Sequence, residues 1–365
     1  MSRIFMATGG TGGHIYPGLV TAQELRRRGQ EVCFIGVLGS AQERIREAGF
    51  DCISIQAKGF VSKGWLDKIR SLVSMISAFI PCAAALWRWR PSLVIGFGGY
   101  SSFPVVIAAF LFGIPSMIHE QNAMPGTANR ILARLACRVG VGFKEAMAYF
   151  PAYKTVWVGN PLREFDLALS QQDALEALGL DPLCQTVLVF GGSQGSRVFN
   201  KEVVLAFSQI PPDMHVQVIH VTGRYDFAHV KAVYAAQGVR ALVREYMDQI
   251  EIAYAAADLV IGRAGAGTVM EIGLWGIPAV LIPYPGARGH QKYNARVLEQ
   301  LGMAEIIDEK CLRQDILRDK IFAQIRNNFS SGRRLINRKR LKEAFISDGS
   351  SRLADEAIKV LHDKG

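Results

Sequence analysis

The chain carries one folding device twice. An apolar run, Arg3-Ile4-Phe5-Met6-Ala7, empties into Thr8-Gly9-Gly10-Thr11-Gly12-Gly13-His14. Near the midpoint, Thr186-Val187-Leu188-Val189-Phe190 empties into Gly191-Gly192-Ser193-Gln194-Gly195-Ser196, and each loop precedes a segment of helical pattern. A glycine-rich turn between a buried strand and a helix gathers backbone N–H groups at the positive end of a helix dipole, a place suited to phosphate. Two copies predict two Rossmann-like domains of the α/β class, each a doubly wound parallel sheet, and 365 residues hold two domains of ordinary size.

The rest of the pattern agrees. In the first half, apolar runs at 4–7, 31–36, 52–55, 93–95, 116–119, 138–141 and 155–158 alternate with helical patterns such as 18–28 and 41–48, as βαβ units require. Gly159-Asn160-Pro161-Leu162-Arg163 is turn-forming and ends that series. The second half restarts with a helix at 172–178 and strands at 186–190, 216–221, 241–244, 259–262, 279–282 and 304–307. The expected division is 1–162, 163–345 and a closing segment 346–365, whose helix spans 351–361. Residues 93–118 carry no charge, but Gly96, Gly98, Gly99, Pro104, Gly113 and Pro115 cut the run into pieces too short to span a bilayer. Open parallel sheets bind ligands at the carboxyl ends of their strands, so two such sheets facing across a cleft would take one substrate from each side.

The formal charge of +10 favours an acidic partner without choosing among nucleic acid, anionic lipid and a phosphorylated ligand. Six scattered cysteines without a Cys-x-x-Cys pair, and an N-terminus without a signal-peptide layout, point to the cytoplasm. No Gly-x-x-x-x-Gly-Lys-Ser/Thr occurs, nor a clean Gly-x-Gly-x-x-Gly with its acidic ribose partner, which argues against P-loop and nicotinamide chemistry. His-Glu-x-x-His, clustered Cys/His and Asp-x-Asp are also missing, so no metal site and no cofactor are expected. Helix ends and cations would then stabilise an anionic leaving group.

Each candidate residue has two readings. His14 opens a helix, where a second positive charge is disfavoured; it is either a neutral general base or a helix cap. Ser193, with the amides around Gln194 and Gly195, can hold a diphosphate or simply make a tight turn. Glu271, one turn into the helix that follows Gly262-Arg263-Ala264-Gly265-Ala266-Gly267-Thr268-Val269-Met270, can accept two ribose hydroxyls or merely favour the dipole. Gln291 and Asn294, after the strand at 279–282, can both donate and accept, as sugar hydroxyls require. His119-Glu120-Gln121-Asn122 is a polar cluster at a strand end. Residues 60–90 mix Lys63, Lys68, Arg70, Arg88 and Arg90 with Leu72, Ile76, Phe79, Ile80 and Trp87, a composition for either an anionic lipid surface or a core helix with solvated ends. Arg333–Lys342 holds six basic residues in ten but no aromatics to stack bases, so it reads as a solvated helix face and no nucleic acid is expected.

Taken together, Gly-Gly-Thr-Gly-Gly-His (9–14), His-Glu-Gln-Asn (119–122), Gly-Asn-Pro-x-Arg (159–163), Gly-Gly-Ser-Gln-Gly (191–195) and the 262–271 stretch resemble the MurG family of bacterial transferases, in order and across essentially the whole chain. The resemblance implies a GT-B fold whose closing helix returns to the first domain. It implies transfer of N-acetylglucosamine from UDP-N-acetylglucosamine to the 4-hydroxyl of undecaprenyl-diphosphate-linked muramyl-pentapeptide, with inversion, at the cytoplasmic face of the plasma membrane. It places Ser193 and Arg163 on the diphosphate and Glu271 on the ribose. Met247 falls in the uracil segment, where relatives often have isoleucine; Ala266, Gly267, Thr268, Val269 and Met270 line the donor site; Gln291 meets the sugar. His290-Gln291-Lys292 departs from the paired glutamines of some members. Thr11, Gly12, Gly13 and Asn122 belong to the first-domain side, with His14 as base and Glu120 as its alternative. An anionic membrane surface and other cell-wall synthesis or division proteins are the implied partners. The competing expectations are another GT-B UDP-sugar enzyme, such as an epimerase or glycolipid glucosyltransferase, and a non-catalytic nucleotide-sugar-binding protein.

Overall fold

The computed structural model describes residues 1–9, 12–39, 41–55, 78–192, 195–211, 214–286, 289–327, 341 and 343–363. The chain divides into two compact units, Met1–Arg163 with Ile346–Gly365, and Glu164–Phe345. Thr11, Ser193, all of 60–77 and nearly all of the basic run 333–342 lie outside the described residues.

In the first unit the chain order is β1 (Arg3–Ala7), α1 (Gly12–Arg27), β2 (Glu31–Gly36), α2 (Ala41–Glu47), β3 (Asp51–Ser54), α3 (78–89), β4 (Leu93–Gly96), α4 (Gly99–Leu111), β5 (Ser116–Glu120), α5 (Thr127–Leu132), β6 (Arg138–Val141) and β7 (Thr155–Trp157). The strands form one parallel sheet in the order β3-β2-β1-β4-β5-β6-β7. The period-2 alternation of β1 explains the layers. Ile4 and Met6 enter one core with Ile15, Leu19 and Leu25 of α1, while Phe5 and Ala7 enter the opposite core with Val105, Ala108 and Ala109 of α4. Each fully buried aliphatic side chain of this kind contributes about 1.5–3 kcal/mol. The order therefore reverses between β1 and β4, with their helices on opposite faces.

The uncharged run 93–118 becomes β4, α4 and β5. At 13 residues α4 is about 20 Å long, and no helix among the described residues is long and apolar enough to cross a membrane. One expectation needs correction. Helix α1 starts at Gly12 rather than residue 18 and runs through Pro17. A proline this near the start removes only the bond to the carbonyl four residues earlier, and the Thr21 hydroxyl donates to the Pro17 carbonyl at 2.7 Å.

The second unit runs α6 (Gln171–Leu178), β8 (Gln185–Phe190), α7 (Arg197–Phe207), β9 (Val216–Val221), α8 (Phe227–Ala236), β10 (Ala241–Arg244), α9 (Ile250–Ala256), β11 (Leu259–Gly262), α10 (Ala266–Trp275), β12 (Ala279–Leu281), α11 (His290–Gln300), β13 (Ala304–Ile306) and α12 (Gln314–Asn327). Its parallel sheet has the order β10-β9-β8-β11-β12-β13, reversing between β8 and β11. Val187 and Val189 of β8 pack with Phe199, Val203 and Phe207 of α7 and Leu317 and Ile321 of α12. Helix α6 shows both end signals: the Ser170 hydroxyl accepts from the Asp173 amide at 3.1 Å, and Gly179 closes it at φ 64°.

The last helix, α13 (Gly349–His362), belongs to the first unit. Leu353, Ala354, Ala357 and Val360 join the core beneath α1. Arg28, just after α1, donates to the Ser351 hydroxyl at 2.6 Å and pairs with Asp355, while Arg138 of β6 pairs with Glu356 at 3.0 Å.

Candidate active site

Doubly wound sheets place ligands where the strand order reverses. In the first unit that point lies between β1 and β4. Gly9 leaves β1 at φ +150°, where an added Cβ would stand 2.4 Å from the Val37 carbonyl oxygen, so the turn accepts only glycine. His14 sits in the first turn of α1, half-buried; its carbonyl accepts from the Thr8 hydroxyl at 2.9 Å. A Cβ on Gly99 would be 3.5 Å from His14 Nε2. Gly98 and Gly99, at φ 85° and 73°, open α4. The N-termini of α1 and α4 thus meet at one imidazole. The sequence reads as a glycine loop between strand and helix at Gly98 and Gly99, but that reading assigns the loop no ligand.

Behind His14 lies the end of β5. His14 Nδ1 is 3.0 Å from Gln121 Oε1; Gln121 Nε2 is 3.0 Å from the Phe97 carbonyl and 3.1 Å from His119 Nδ1; His119 Nε2 is 3.0 Å from the Gly159 carbonyl. Burial pushes the His119 pKa down to about 4, against the Gly159 hydrogen bond and with the charge of His14. The Asn160 amide donates to the Gln121 carbonyl at 3.3 Å, so the turn at 159–161 braces this cluster as well as ending a series of strands. Glu120 is 2% exposed and accepts four hydrogen bonds: from the Asn122 amide and side chain at 2.9 and 3.1 Å, the Gly126 amide at 3.1 Å and Asn129 Nδ2 at 2.9 Å. These fasten the 120–126 turn to α5. Of the two candidate bases, His14 is the one placed at the helix ends, and Glu120 holds Asn122 in place. Gly12 and Gly13 begin α1, and Arg163 closes the unit with its guanidinium 5.8 Å from the Tyr16 ring centre.

In the second unit the reversal between β8 and β11 is tied by Arg263, only 5% exposed. It donates to the Ser196 hydroxyl at 2.7 Å and the Ile282 carbonyl at 3.1 Å, pairs with Glu309, and so joins the ends of β8, β11 and β12. Gly195, at φ +72°, would press a Cβ to 2.2 Å from the Thr222 carbonyl oxygen. A cavity of about 300 Å³ lined by Gly195, Ser196, Arg197, Thr222, Tyr225 and Asp226 opens there. Beneath it His220 is fully buried between the Tyr234 hydroxyl and Asn200, and burial lowers its pKa to about 3.

Glu271 stands on α10, one oxygen held by the Tyr254 hydroxyl at 2.8 Å. Tyr254 is buried, stacked on Trp275 with ring centres 6.3 Å apart. This partner comes from α9, 17 residues away, and no local pattern marks it. Ala266, Gly267 and Thr268 are partly exposed in the first turn of α10, whereas the Val269 and Met270 side chains lie in the core; these two can meet a ligand only through backbone. Gln291 uses its carbonyl oxygen to accept from the Ala264 and Tyr284 amides at 3.1 and 2.9 Å, which leaves its N–H groups, rather than both functions, for a sugar. Asn294 is buried on the Ala264 carbonyl. Met247 is half-buried in the loop after β10. Among the described residues no group of three or more His, Cys, Asp or Glu is placed to hold a metal ion.

Comparison with known proteins defines the class. Residues 4–141 match the glycosyltransferase family 28 N-terminal domain and residues 186–353 the glycosyltransferase family 28 C-terminal domain. A Halothermothrix orenii protein named UDP-N-acetylglucosamine--N-acetylmuramyl-(pentapeptide) pyrophosphoryl-undecaprenol N-acetylglucosamine transferase is 39% identical over 344 residues, 91% of this chain and 92% of that one. A Coxiella burnetii protein of the same name is 37% identical over 321 residues, 87% and 88% of the two chains. The crystal structure of Acinetobacter baumannii MurG matches with a TM-score of 0.78 at 25% identity, covering 98% of this chain and all of that one. The glycosyltransferase of kitacinnamycin, at 18% identity and a TM-score of 0.73, shares the fold. The chain is a GT-B glycosyltransferase of two parallel-sheet α/β domains. It belongs to the MurG family of N-acetylglucosamine transferases.

Proposed function

We propose that this enzyme transfers N-acetylglucosamine from UDP-N-acetylglucosamine to the 4-hydroxyl of undecaprenyl-diphosphate-linked N-acetylmuramyl-pentapeptide, converting lipid I to lipid II in peptidoglycan synthesis. The observation that carries the reading is His14, set where two helix N-termini meet at the reversal of the first sheet. The 4-hydroxyl attacks the anomeric carbon from the face opposite UDP, its proton passes to His14, the C1–O bond to UDP breaks, and the configuration inverts. The ends of α1 and α4 suit the diphosphate of the acceptor. In the second unit, Glu271 takes the ribose hydroxyls, Ser193 the diphosphate, the first turn of α10 and the Met247 loop the remainder of the nucleotide, and Gln291 the sugar; Arg163, which belongs to the first unit, is the cation assigned to the diphosphate. Helix ends and cations neutralise the leaving UDP.

The acceptor is a lipid, and the first unit carries apolar side chains turned outward. Ile80 and Trp87 of α3 are 69% and 68% exposed, and Phe110, Leu111 and Phe112 at the end of α4 are 51%, 65% and 44% exposed. Both helices rest on the same core; Arg88 follows Trp87 in the chain, and the Arg90 guanidinium lies 5.8 Å from the Trp87 ring centre. This combination suits peripheral attachment to the anionic cytoplasmic face of the plasma membrane. Trp87→Asp is expected to weaken binding to anionic liposomes while leaving transfer to a short-chain, detergent-soluble acceptor intact.

The deciding experiment is incubation of labelled UDP-N-acetylglucosamine with short-chain lipid-linked muramyl-pentapeptide, with chelator present. Labelled disaccharide lipid is the expected product. Formation of free N-acetylmannosamine or its UDP derivative, transfer only to other glycolipids, or donor binding without product would replace this reading with an epimerase, a different transferase or a binding protein.

A further inference from the structure

We infer that Gln121 and His119 are positioning residues that fix the tautomer of His14, holding the proton on Nδ1 and leaving Nε2 bare at the ends of α1 and α4. This rests on the reading of His14 as the base.

The assignment follows from which atoms can only accept. Gln121 Nε2 lies 3.0 Å from the Phe97 carbonyl and 3.2 Å from the His119 carbonyl. Carbonyl oxygens have no proton to give, so the NH2 end of the amide must point there; the opposite orientation would set oxygen against oxygen. The other end, Oε1, therefore faces His14 Nδ1 at 3.0 Å, and because Oε1 only accepts, Nδ1 must carry a hydrogen. A neutral imidazole holds one such hydrogen, so Nε2 is the acceptor. His119 locks the amide from behind. Its Nε2–H donates to the Gly159 carbonyl at 3.0 Å, which leaves Nδ1 to accept from Gln121 at 3.1 Å. Phe97, Gly159, His119 and Gln121 are supplied by the ends of β4, β7 and β5, and His119 and Gln121 are 0% and 2% exposed, so the amide has no room to turn without breaking several bonds.

The chemistry follows. An imidazole free of such restraint shares its proton between both nitrogens, and a base needs the lone pair on the nitrogen turned toward the substrate. When Nε2 accepts the proton of the attacking hydroxyl, the new imidazolium keeps its Nδ1–H on a neutral amide oxygen. Gln121 thus orients the ring without contributing a negative charge.

The test is nitrogen NMR of the substrate-free protein with labelled histidine, above pH 7, combined with kinetics of Gln121→Met and Gln121→Glu. In the wild type, His14 is expected to show a protonated Nδ1 and an unprotonated Nε2. Gln121→Met is expected to mix the tautomers and lower kcat roughly 100-fold at an unchanged KM for the nucleotide sugar. Gln121→Glu, which keeps an acceptor at Nδ1, is expected to restore part of kcat and to move the acidic limb of its pH profile upward. A wild-type His14 protonated on Nε2, or a folded Gln121→Met with the wild-type tautomer and kcat, would overturn the inference. The resonances are read without turnover, so a correct tautomer with an unimpaired His14→Ala enzyme would instead remove the role of His14 as base.

Discussion

The two glycine loops look alike in sequence and are supported in opposite ways. Behind the first stands a buried polar chain: Gly159 carbonyl, His119, Gln121, His14, with Glu120 clamping the turn beside it. Behind the second, the end of β8 is tied by the Arg263 guanidinium and packed by aromatic rings, Phe190 edge-on to Tyr254 at 5.9 Å and Tyr254 on Trp275. Buried polar networks cost desolvation and must be satisfied bond by bond, and in return they fix protonation and orientation. The second loop also has a buried histidine beneath it, His220 between Tyr234 and Asn200, but the Arg263 tie and the aromatic packing are what set the position of its strand end. On the proposed function, the contrast assigns proton handling to the first unit and the nucleotide sugar to the second.

The largest effect should come from the proton side. His14→Ala is expected to lower kcat by roughly 10²–10⁴-fold, measured with saturating donor and acceptor. Next is Glu120. Its four donors make it structural, so Glu120→Leu should destabilise the first unit by about 3–5 kcal/mol in denaturant titration, because the donors are left buried and unpaired. A folded variant of unchanged stability with a loss of kcat like that of His14→Ala would make Glu120 the base and break the contrast. On the donor side, Glu271→Ala is expected to raise the KM for UDP-N-acetylglucosamine about 10-fold, the weight of roughly 1.4 kcal/mol of hydrogen bonding. Tyr254→Phe should raise it by a smaller factor, since it frees rather than removes the carboxylate.

The broadest effect concerns pH. His119 and His220 are neutral in the folded protein, with pKa values near 4 and 3, whereas the unfolded chain titrates near 6.5. Between those values the unfolded state binds more protons, so stability is fully present above about pH 6.5 and declines as pH falls through 4. For His119 the decline is about 3 kcal/mol. Urea midpoints measured across pH 4–7 should show it, and His220→Gln should flatten the slope if that variant folds.

Much of this molecule is legible in its sequence, for a physical reason. Strand and glycine loop are adjacent along the chain, and their geometry is set by local sterics, so the two sheets and the positions of Gly9, His14 and Gly195 follow from pattern. The helical periodicity of α1 becomes legible only from residue 18, because Pro17 discourages a helix that a single missing bond does not prevent, whereas the glycine loop places His14 at its start. The support of the site is not local at all: His14 and Gln121 are 107 residues apart, His119 and Gly159 are 40 apart, and Tyr254 reaches Glu271 from another helix. Each of these meets its partner only because the parallel sheet brings strand ends to one edge. Val269 and Met270 show the reverse: the motif includes them, but the 3.6-residue period turns their side chains into the core.

The most direct test is a side-by-side measurement of kcat and donor KM for His14→Ala and Glu271→Ala in the transfer assay with short-chain acceptor. The expected result is a split: His14→Ala loses kcat by at least two orders of magnitude at a nearly unchanged KM, and Glu271→Ala raises KM with kcat within a few-fold of wild type. The same pattern in both variants, or the reverse split, would contradict the division of proton handling and donor binding between the two units.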